Sequence, residues 1–123
     1  MKNLAIIFFT LISLNSFAVE YNANFTIEKF ENAQNNGNVV IVSSWNKSCT
    51  TCAKQKPILS QAENDFKNVV FLNFEQIKNK DIATLLKIDY WTTIAVFKDG
   101  AEVARSIGLY KKDEIYSFIK NNI

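Results

Sequence analysis

With 123 residues, the chain is long enough for one domain and too short for two domains of ordinary size. Hydrophobic residues make up 48% of it and charged residues 21%, which is typical of an ordinary globular protein. A net charge of +2 without any run of basic residues argues against a nucleic-acid-binding protein. The chain has no histidine, which removes the commonest metal ligand and the commonest general base.

The first eighteen residues differ from the rest and predict a secretory signal peptide. Lys2 gives a positive start, residues 4–14 are largely apolar, and Ser16 and Ala18 are small residues at the positions that a signal peptidase reads. A membrane anchor is the alternative, but a spanning helix needs about 20 apolar residues. We therefore expect cleavage near Ala18.

Cleavage there divides the chain into a signal peptide, residues 1–18, and a mature domain, residues 19–123. We expect this domain to be periplasmic or secreted, without a stable membrane anchor. Such compartments are oxidising, so a cysteine pair can exist there as a disulfide.

Apolar periodicity, strand-forming runs and turn residues predict eight elements in the mature domain. The run of β-branched residues at 39–42 is typical of a strand buried on both faces in a parallel sheet. Asp99-Gly100 is a favoured hairpin turn. In chain order we predict a helix over 25–34, a strand over 39–42, a helix over 49–67, a strand over 69–74, a helix over 81–86, strands over 94–97 and 102–107, and a helix over 112–119.

Helices that alternate with strands predict parallel pairing, and the final hairpin adds an antiparallel edge. We therefore predict a three-layer α/β/α domain with a four- or five-stranded mixed sheet.

Two cysteines lie at the junction of the first predicted strand and the helix that follows it. Ligand sites in open α/β sheets lie at the carboxyl ends of strands. Cys49 and Cys52 are spaced by one helical turn, which brings their sulfurs close enough to bond. The free N–H groups and the dipole of a helix N-terminus favour an anion, so Cys49 is the predicted nucleophilic thiolate. Cys52 would then resolve the mixed disulfide.

Other roles for this pair remain open. A structural disulfide across so short a loop would stabilise the fold by only roughly 2 kcal/mol. Without histidine or a second cysteine pair, Cys49 and Cys52 cannot complete a tetrahedral zinc site within one chain, so we expect no metal. The spacing could also be accidental, since Cys-x-x-Cys alone is a weak signal.

A family resemblance rests on a motif with four members: Trp45, Cys49, Cys52 and Pro57. Their spacing resembles the active-site signature of thioredoxins. Residues 93–100 resemble the strand and Lys-x-Gly hairpin of that family, and Gly108 matches a glycine before its last helix. The resemblance covers about residues 25–123. It implies a thioredoxin-like fold and dithiol–disulfide exchange without a cofactor.

The resemblance also implies supporting roles around the cysteines. Trp45 would pack beside them, and Pro57 would kink the helix that presents them. Trp91 and Thr92 would bind substrate, with backbone groups free to pair with an extended peptide close to the disulfide.

Three departures from the family pattern bear on function. Thr50 and Thr51 stand where thioredoxins have Gly-Pro, and Ser43 replaces a buried aspartate. Thr92 aligns with a cis-proline. The Trp91–Thr92 bond could be cis or trans, and we favour cis because the surrounding fold fixes the conformation of this turn.

We therefore expect a thiol-disulfide oxidoreductase that acts as a monomer on the thiols or disulfides of exported proteins. A membrane or periplasmic redox partner would serve it. We favour reduction of substrates over their oxidation, because the chain lacks the inserted helical domain of dedicated periplasmic oxidases. The alternatives are an oxidase that donates its disulfide and a binding module with little turnover.

Overall fold

The computed structural model describes residues 22–123, so the predicted signal peptide and its cleavage site lie outside the described residues. Four helices and four strands follow in the predicted order within this part of the chain. None of these helices is long and apolar enough to cross a membrane. The elements are α1 (Ile27–Asn35), β1 (Val39–Trp45), α2 (Thr50–Asp65), β2 (Val69–Glu75), α3 (Lys80–Leu86), β3 (Thr93–Lys98), β4 (Ala101–Ile107) and α4 (Lys112–Asn122).

The four strands form one mixed sheet in the order β2-β1-β3-β4. Strands β1 and β2 are parallel, whereas β3 is antiparallel to both β1 and β4. The expectation of mainly parallel pairing is therefore wrong for the β1–β3 pair. Its reason is visible at Thr92, whose N–H donates to the carbonyl of Ser44 near the end of β1. The chain enters β3 at the same end of the sheet at which β1 leaves it.

Helices cover both faces of the sheet, which confirms the three-layer α/β/α prediction. On one face, α1 and α3 pack on alternate residues of β1, including Val40 and Val42. On the other face, α2 and α4 pack on Ile41 of β1 and on Ile94 and Val96 of β3. Both faces of the sheet are thus buried, and the cysteines lie beyond the carboxyl end of β1.

Strand β1 continues to Trp45, three residues past its predicted end at Val42. The prediction stopped there because two serines interrupt the apolar run. Ser44 is nevertheless fully buried, because its hydroxyl donates to the carbonyl of Tyr90 over 2.8 Å. A buried hydroxyl with a partner is tolerated in a core, so the strand carries on to the edge of the site.

The predicted hairpin between β3 and β4 is confirmed. Asp99 and Gly100 have φ angles of 54° and 80°, and Lys98 pairs with Ala101 across the turn. Two successive positive φ angles define the tight turn that matches the twist of antiparallel strands.

Candidate functional site

The two cysteines lie where β1 gives way to α2, as predicted. Cys49 is the N-cap residue of α2, with extended backbone angles, and Cys52 lies in the first turn. A disulfide bond joins them, and their Cα atoms are 5.2 Å apart. The cysteine pair beyond the carboxyl end of this central strand is therefore present as a disulfide.

A short turn holds Cys49 in place. The buried Asn46 accepts a hydrogen bond at its side-chain oxygen from the N–H of Ser48, over 2.8 Å. Its carbonyl oxygen accepts a second bond from the N–H of Cys49, over 3.1 Å. Because one buried residue directly after β1 supplies both acceptors, the turn that carries Cys49 is anchored to the end of this strand.

The environment of the two sulfurs is unequal. The N–H of Cys52 points at the sulfur of Cys49 at 3.1 Å, so this sulfur occupies the N-cap position in which side-chain oxygens usually accept. Cys49 is 8% exposed and Cys52 only 2%. The more exposed cysteine is also the one whose sulfur faces a backbone donor, which suits a thiolate nucleophile.

Trp45 packs against both cysteines in a small buried cluster. Its indole nitrogen donates to the side-chain oxygen of Asn73 over 2.8 Å. Asn73 in turn donates its side-chain amide to Asn24, which also bonds the backbone of β2. The orientation of Trp45 therefore depends on Asn24 and Asn73, two residues that the sequence analysis missed.

Pro57 lies inside α2, two turns beyond the cap. Proline lacks an N–H, so the helix loses the hydrogen bond that would end on the carbonyl of Ala53. Pro57 is exposed, whereas both cysteines are buried.

Trp91 and Thr92 form the loop opposite the disulfide, just before β3. Both line a groove of about 490 Å³ that also contains Cys49. The structure thus brings the predicted substrate-binding residues and the predicted nucleophile to one surface.

The conformation of this loop differs from the prediction in two respects. The Trp91–Thr92 bond is trans, as are all peptide bonds in residues 22–123, and Thr92 has a φ of 61°. The expectation of a cis bond is therefore wrong. Thr92 is also not free to pair with a peptide. Its N–H donates to Ser44, and its carbonyl accepts from the N–H of Gly108 and from the side chain of Gln55.

Gln55 is a further residue that the sequence analysis missed. It is almost fully buried on the inner side of α2, and its amide nitrogen donates to two carbonyls, those of Thr92 and Leu109. A signal existed in the sequence, because Gln55 falls at helical spacing between Cys52 and Ala62 on the core-facing stripe of α2. A polar residue on such a stripe requires partners.

A small cavity of about 40 Å³ lies behind the disulfide, between α2 and the β1–β2 half of the sheet. Ser43 and Cys52 both line it, and the volume is sufficient for water. Ser43 is only half-buried although it belongs to a central strand. Its hydroxyl forms no hydrogen bond with any residue of the described range, and the cavity beside the buried sulfur is lined by both polar and apolar side chains.

Comparisons with known proteins agree with this geometry. The thioredoxin family model matches residues 21–121. A thioredoxin from Mycoplasma genitalium is 32% identical over 82 residues, which cover 67% of this chain and 80% of that protein. An H-type thioredoxin from Fagopyrum esculentum is 28% identical over 88 residues, covering 72% and 75% respectively.

Solved structures show the same fold. Trxlp from Edwardsiella tarda superposes with a TM-score of 0.74 at 20% identity, over 78% of this chain and 95% of that one. Fasciola hepatica thioredoxin superposes with a TM-score of 0.70 at 22% identity, over 78% and 90%. With a family match over most of its length and a Cys49–Cys52 disulfide at the end of β1, this chain belongs to the thioredoxin family of disulfide oxidoreductases.

Proposed function

We propose that this protein is an exported protein-disulfide reductase. In this reaction the Cys49 thiolate attacks a substrate disulfide, so that one substrate sulfur bonds to Cys49 and the other leaves as a thiolate. Cys52 then loses its proton and attacks the Cys49 sulfur. The Cys49–Cys52 disulfide forms, the second substrate thiolate is released, and two electrons have passed to the substrate.

The groove beside Cys49 is the observation that carries this proposal. Three aromatic side chains, Tyr90, Trp91 and Tyr110, line it and are exposed. Exposed aromatic residues grouped around one reactive atom are typical of protein-binding surfaces. A groove of this composition suits a polypeptide segment that carries an apolar side chain next to its disulfide.

A cation lies at one wall of the same groove. The Lys54 ammonium is 5.2 Å from the centre of the Tyr110 ring, within the range of a cation–π interaction. Asp89 also lines the groove, so charges of both signs accompany its apolar contact area. The groove therefore suits substrate segments that carry an apolar side chain, and its charges set no preference for acidic segments.

Reduction of insulin disulfides with dithiothreitol as the electron source tests this function. The wild-type protein is expected to accelerate precipitation of the insulin B chain, and Cys49→Ala is expected to lose this effect. Failure of the wild-type protein with insulin, combined with normal reaction of its cysteines with dithiothreitol, would favour a binding module with little turnover.

Export is a separate part of the proposal and rests on the sequence of residues 1–18. Protein recovered from its native compartment should begin at or near Val19. An intact Met1 on that protein would contradict export, and with it the proposed exported substrates. A monomeric domain in an oxidising compartment would also need a membrane or periplasmic redox partner to keep its cysteines reduced.

A second candidate, an oxidase that donates its disulfide, is favoured by one observation. Ser43 faces the cavity beside Cys52 and brings no negative charge to it. The charged residues that line this cavity, Lys56 and Glu63, are of opposite sign, so the lining carries no net negative charge. Without such a charge the reduced form is disfavoured less, and the disulfide is more oxidising. The reduction potential separates the two directions.

A further inference from the structure

We propose that Gln55 is a positioning residue that holds Thr92 in its left-handed conformation and so fixes the shape of the substrate groove. The proposal rests on the proposed function, because the groove is assigned there to protein substrates. It assigns a role to a side chain that does not line the groove and is not part of the four-residue motif.

Thr92 is held in a conformation that its side chain disfavours. Its φ is 61°, and a β-branched residue at positive φ is a genuine outlier. Such strain persists only where the surrounding structure over-determines it, and it is concentrated at functional sites. Specific contacts must therefore hold Thr92 in this conformation.

Besides the bond from its own hydroxyl to the carbonyl of Trp91, three hydrogen bonds from three parts of the fold restrain the backbone of Thr92. Its N–H donates to the carbonyl of Ser44 over 3.0 Å, and its carbonyl accepts from the N–H of Gly108 over 3.2 Å. The third donor is the side-chain amide of Gln55, at 3.2 Å from the same carbonyl. Two of the three bonds are backbone bonds that any residue except proline could make. Among the described residues, Gln55 supplies the third through its side chain.

The same amide nitrogen also donates to the carbonyl of Leu109, over 2.6 Å. Leu109 lies between Gly108 and Tyr110, which line one wall of the groove. Thr92 lies directly beside Gly108, whose N–H donates to its carbonyl. One buried amide therefore ties the Thr92 loop and the segment after β4 to α2, and so supports the part of the groove that these two segments form.

The chemical nature of Gln55 supports a restraining role. It is 2% exposed, on the face of α2 that packs on the core. A buried amide is costly unless its hydrogen bonds are made, and an apolar side chain of similar length would fill this place without that cost. Its value to the fold therefore lies in the two bonds that it makes.

The test is Gln55→Met, which keeps the length of the side chain and removes both donors. The KM for insulin is expected to rise roughly tenfold, since each lost hydrogen bond weakens the preformed groove. The kcat, the rate of reaction with dithiothreitol and the reduction potential should stay close to wild type, because the amide donates to the carbonyls of Thr92 and Leu109 and forms no hydrogen bond with either cysteine. An unchanged KM would overturn the proposal.

Gln76→Met is the matched control. Gln76 also donates a side-chain amide to a backbone carbonyl, that of Ile88, but it lies outside the groove. This variant should lose stability without a rise in KM. An equal rise in KM in both variants would mean that general loosening, and not the Gln55 contact, causes the defect, and would refute the proposal.

A double-mutant cycle tests the link to Thr92. Glycine adopts positive φ without strain, so Thr92→Gly needs less restraint to keep the loop in place. The effect of Gln55→Met on KM should therefore be several-fold smaller in the Thr92→Gly background than in wild type. An equal effect in both backgrounds would show that Gln55 does not act through the conformation of Thr92.

If Gln55→Met does not fold, Gln55→Asn takes its place, since its shorter amide cannot span both carbonyls. An unchanged KM in that variant would again overturn the proposal. Hydrogen exchange of the Gly108 amide, which bonds Thr92, reports the restraint without any substrate and should be faster in either variant. Slow exchange in the variants refutes the role of Gln55, whereas absence of insulin reduction by wild type refutes the proposed function alone.

Discussion

The backbone N–H of Cys52 points at the sulfur of Cys49, at 3.1 Å, and this contact gives the two cysteines different environments. The sulfur of Cys49 takes the place of an N-cap oxygen, where orphan donors and the helix dipole favour a negative charge. Cys52 lies one turn further in and is the more buried of the two. The asymmetry follows from the start of α2 at Thr50, because a helix that began one turn later would leave both sulfurs without these donors.

The first prediction concerns the roles of the two cysteines. Cys49→Ser should abolish exchange, because the remaining thiol of Cys52 is buried. Cys52→Ser should accumulate a mixed disulfide between Cys49 and the substrate, because nothing is left to resolve it. Mass spectrometry of the trapped adduct identifies the bonded cysteine. An adduct found on Cys52 in the Cys49→Ser variant would reverse the assignment.

The order of the elements could be predicted because it depends on local patterns. The β-branched run at 39–42, the Asp99-Gly100 turn and the spacing of apolar residues in α4 are each readable within a few residues. Boundaries were less accurate where a long-range contact decides them. Ser44 extends β1 because its hydroxyl finds the carbonyl of Tyr90, 46 residues away.

The details of the site were less predictable for the same reason. The cysteine pair could be found from its spacing and position. The trans bond and positive φ of Thr92 could not, because they depend on Ser44, Gly108 and Gln55, which approach from β1, the loop after β4 and α2. The alignment of Thr92 with a cis-proline predicted the wrong isomer. Unlike proline, threonine has a backbone N–H, and this N–H holds the loop by donating to the carbonyl of Ser44.

The second prediction is that Thr92→Pro destabilises the fold. Proline fixes φ near −65°, whereas Thr92 has a φ of 61°, and the substitution also removes the N–H that donates to Ser44. The free energy of unfolding, measured by urea denaturation, should fall by more than about 1 kcal/mol. Thr92→Ala keeps the N–H and serves as the control. A proline variant as stable as wild type would mean that the loop adopts another conformation.

The third prediction concerns stability at alkaline pH. The hydroxyl of Tyr116 in α4 donates to the carboxylate of Asp65 at the end of α2, over 2.6 Å. Partial burial, followed by this bond and the negative charge of Asp65, raises the pKa of Tyr116 from 10.0 to about 12. Because the pKa is higher in the folded chain, the interaction stabilises the fold below pH 10, and this contribution is lost as the pH rises towards 12.

Unfolding free energies at pH 8 and pH 11 measure this effect. At pH 8, Tyr116→Phe should have a lower unfolding free energy than wild type. Between pH 8 and pH 11, its unfolding free energy should fall by less than that of wild type. Asp65→Asn keeps an acceptor without the charge, so its pH dependence should be intermediate. An identical pH dependence in wild type and Tyr116→Phe would contradict the assignment.

The fourth prediction concerns the reduction potential and the direction of electron flow. Stabilisation of the Cys49 thiolate favours the reduced form, and Ser43 adds no opposing negative charge beside Cys52. The potential of wild type should therefore lie above the roughly −270 mV of thioredoxin and below the roughly −120 mV of the strongest periplasmic oxidant. Equilibration with glutathione buffers gives the value. A potential near the upper limit would favour the oxidase, and one at or below the lower limit would refute the charge argument.

Ser43→Asp tests that argument directly, because it introduces a carboxylate that faces the cavity behind Cys52. An ionised carboxylate there disfavours a nearby thiolate and so destabilises the reduced form. A cost of about 1.4 kcal/mol to that form lowers the potential of a two-electron couple by about 30 mV. Ser43→Asn is the matched control, since it has the same shape without the charge and should leave the potential near wild type. Equal shifts in both variants would mean that the volume of the side chain, and not its charge, controls this site.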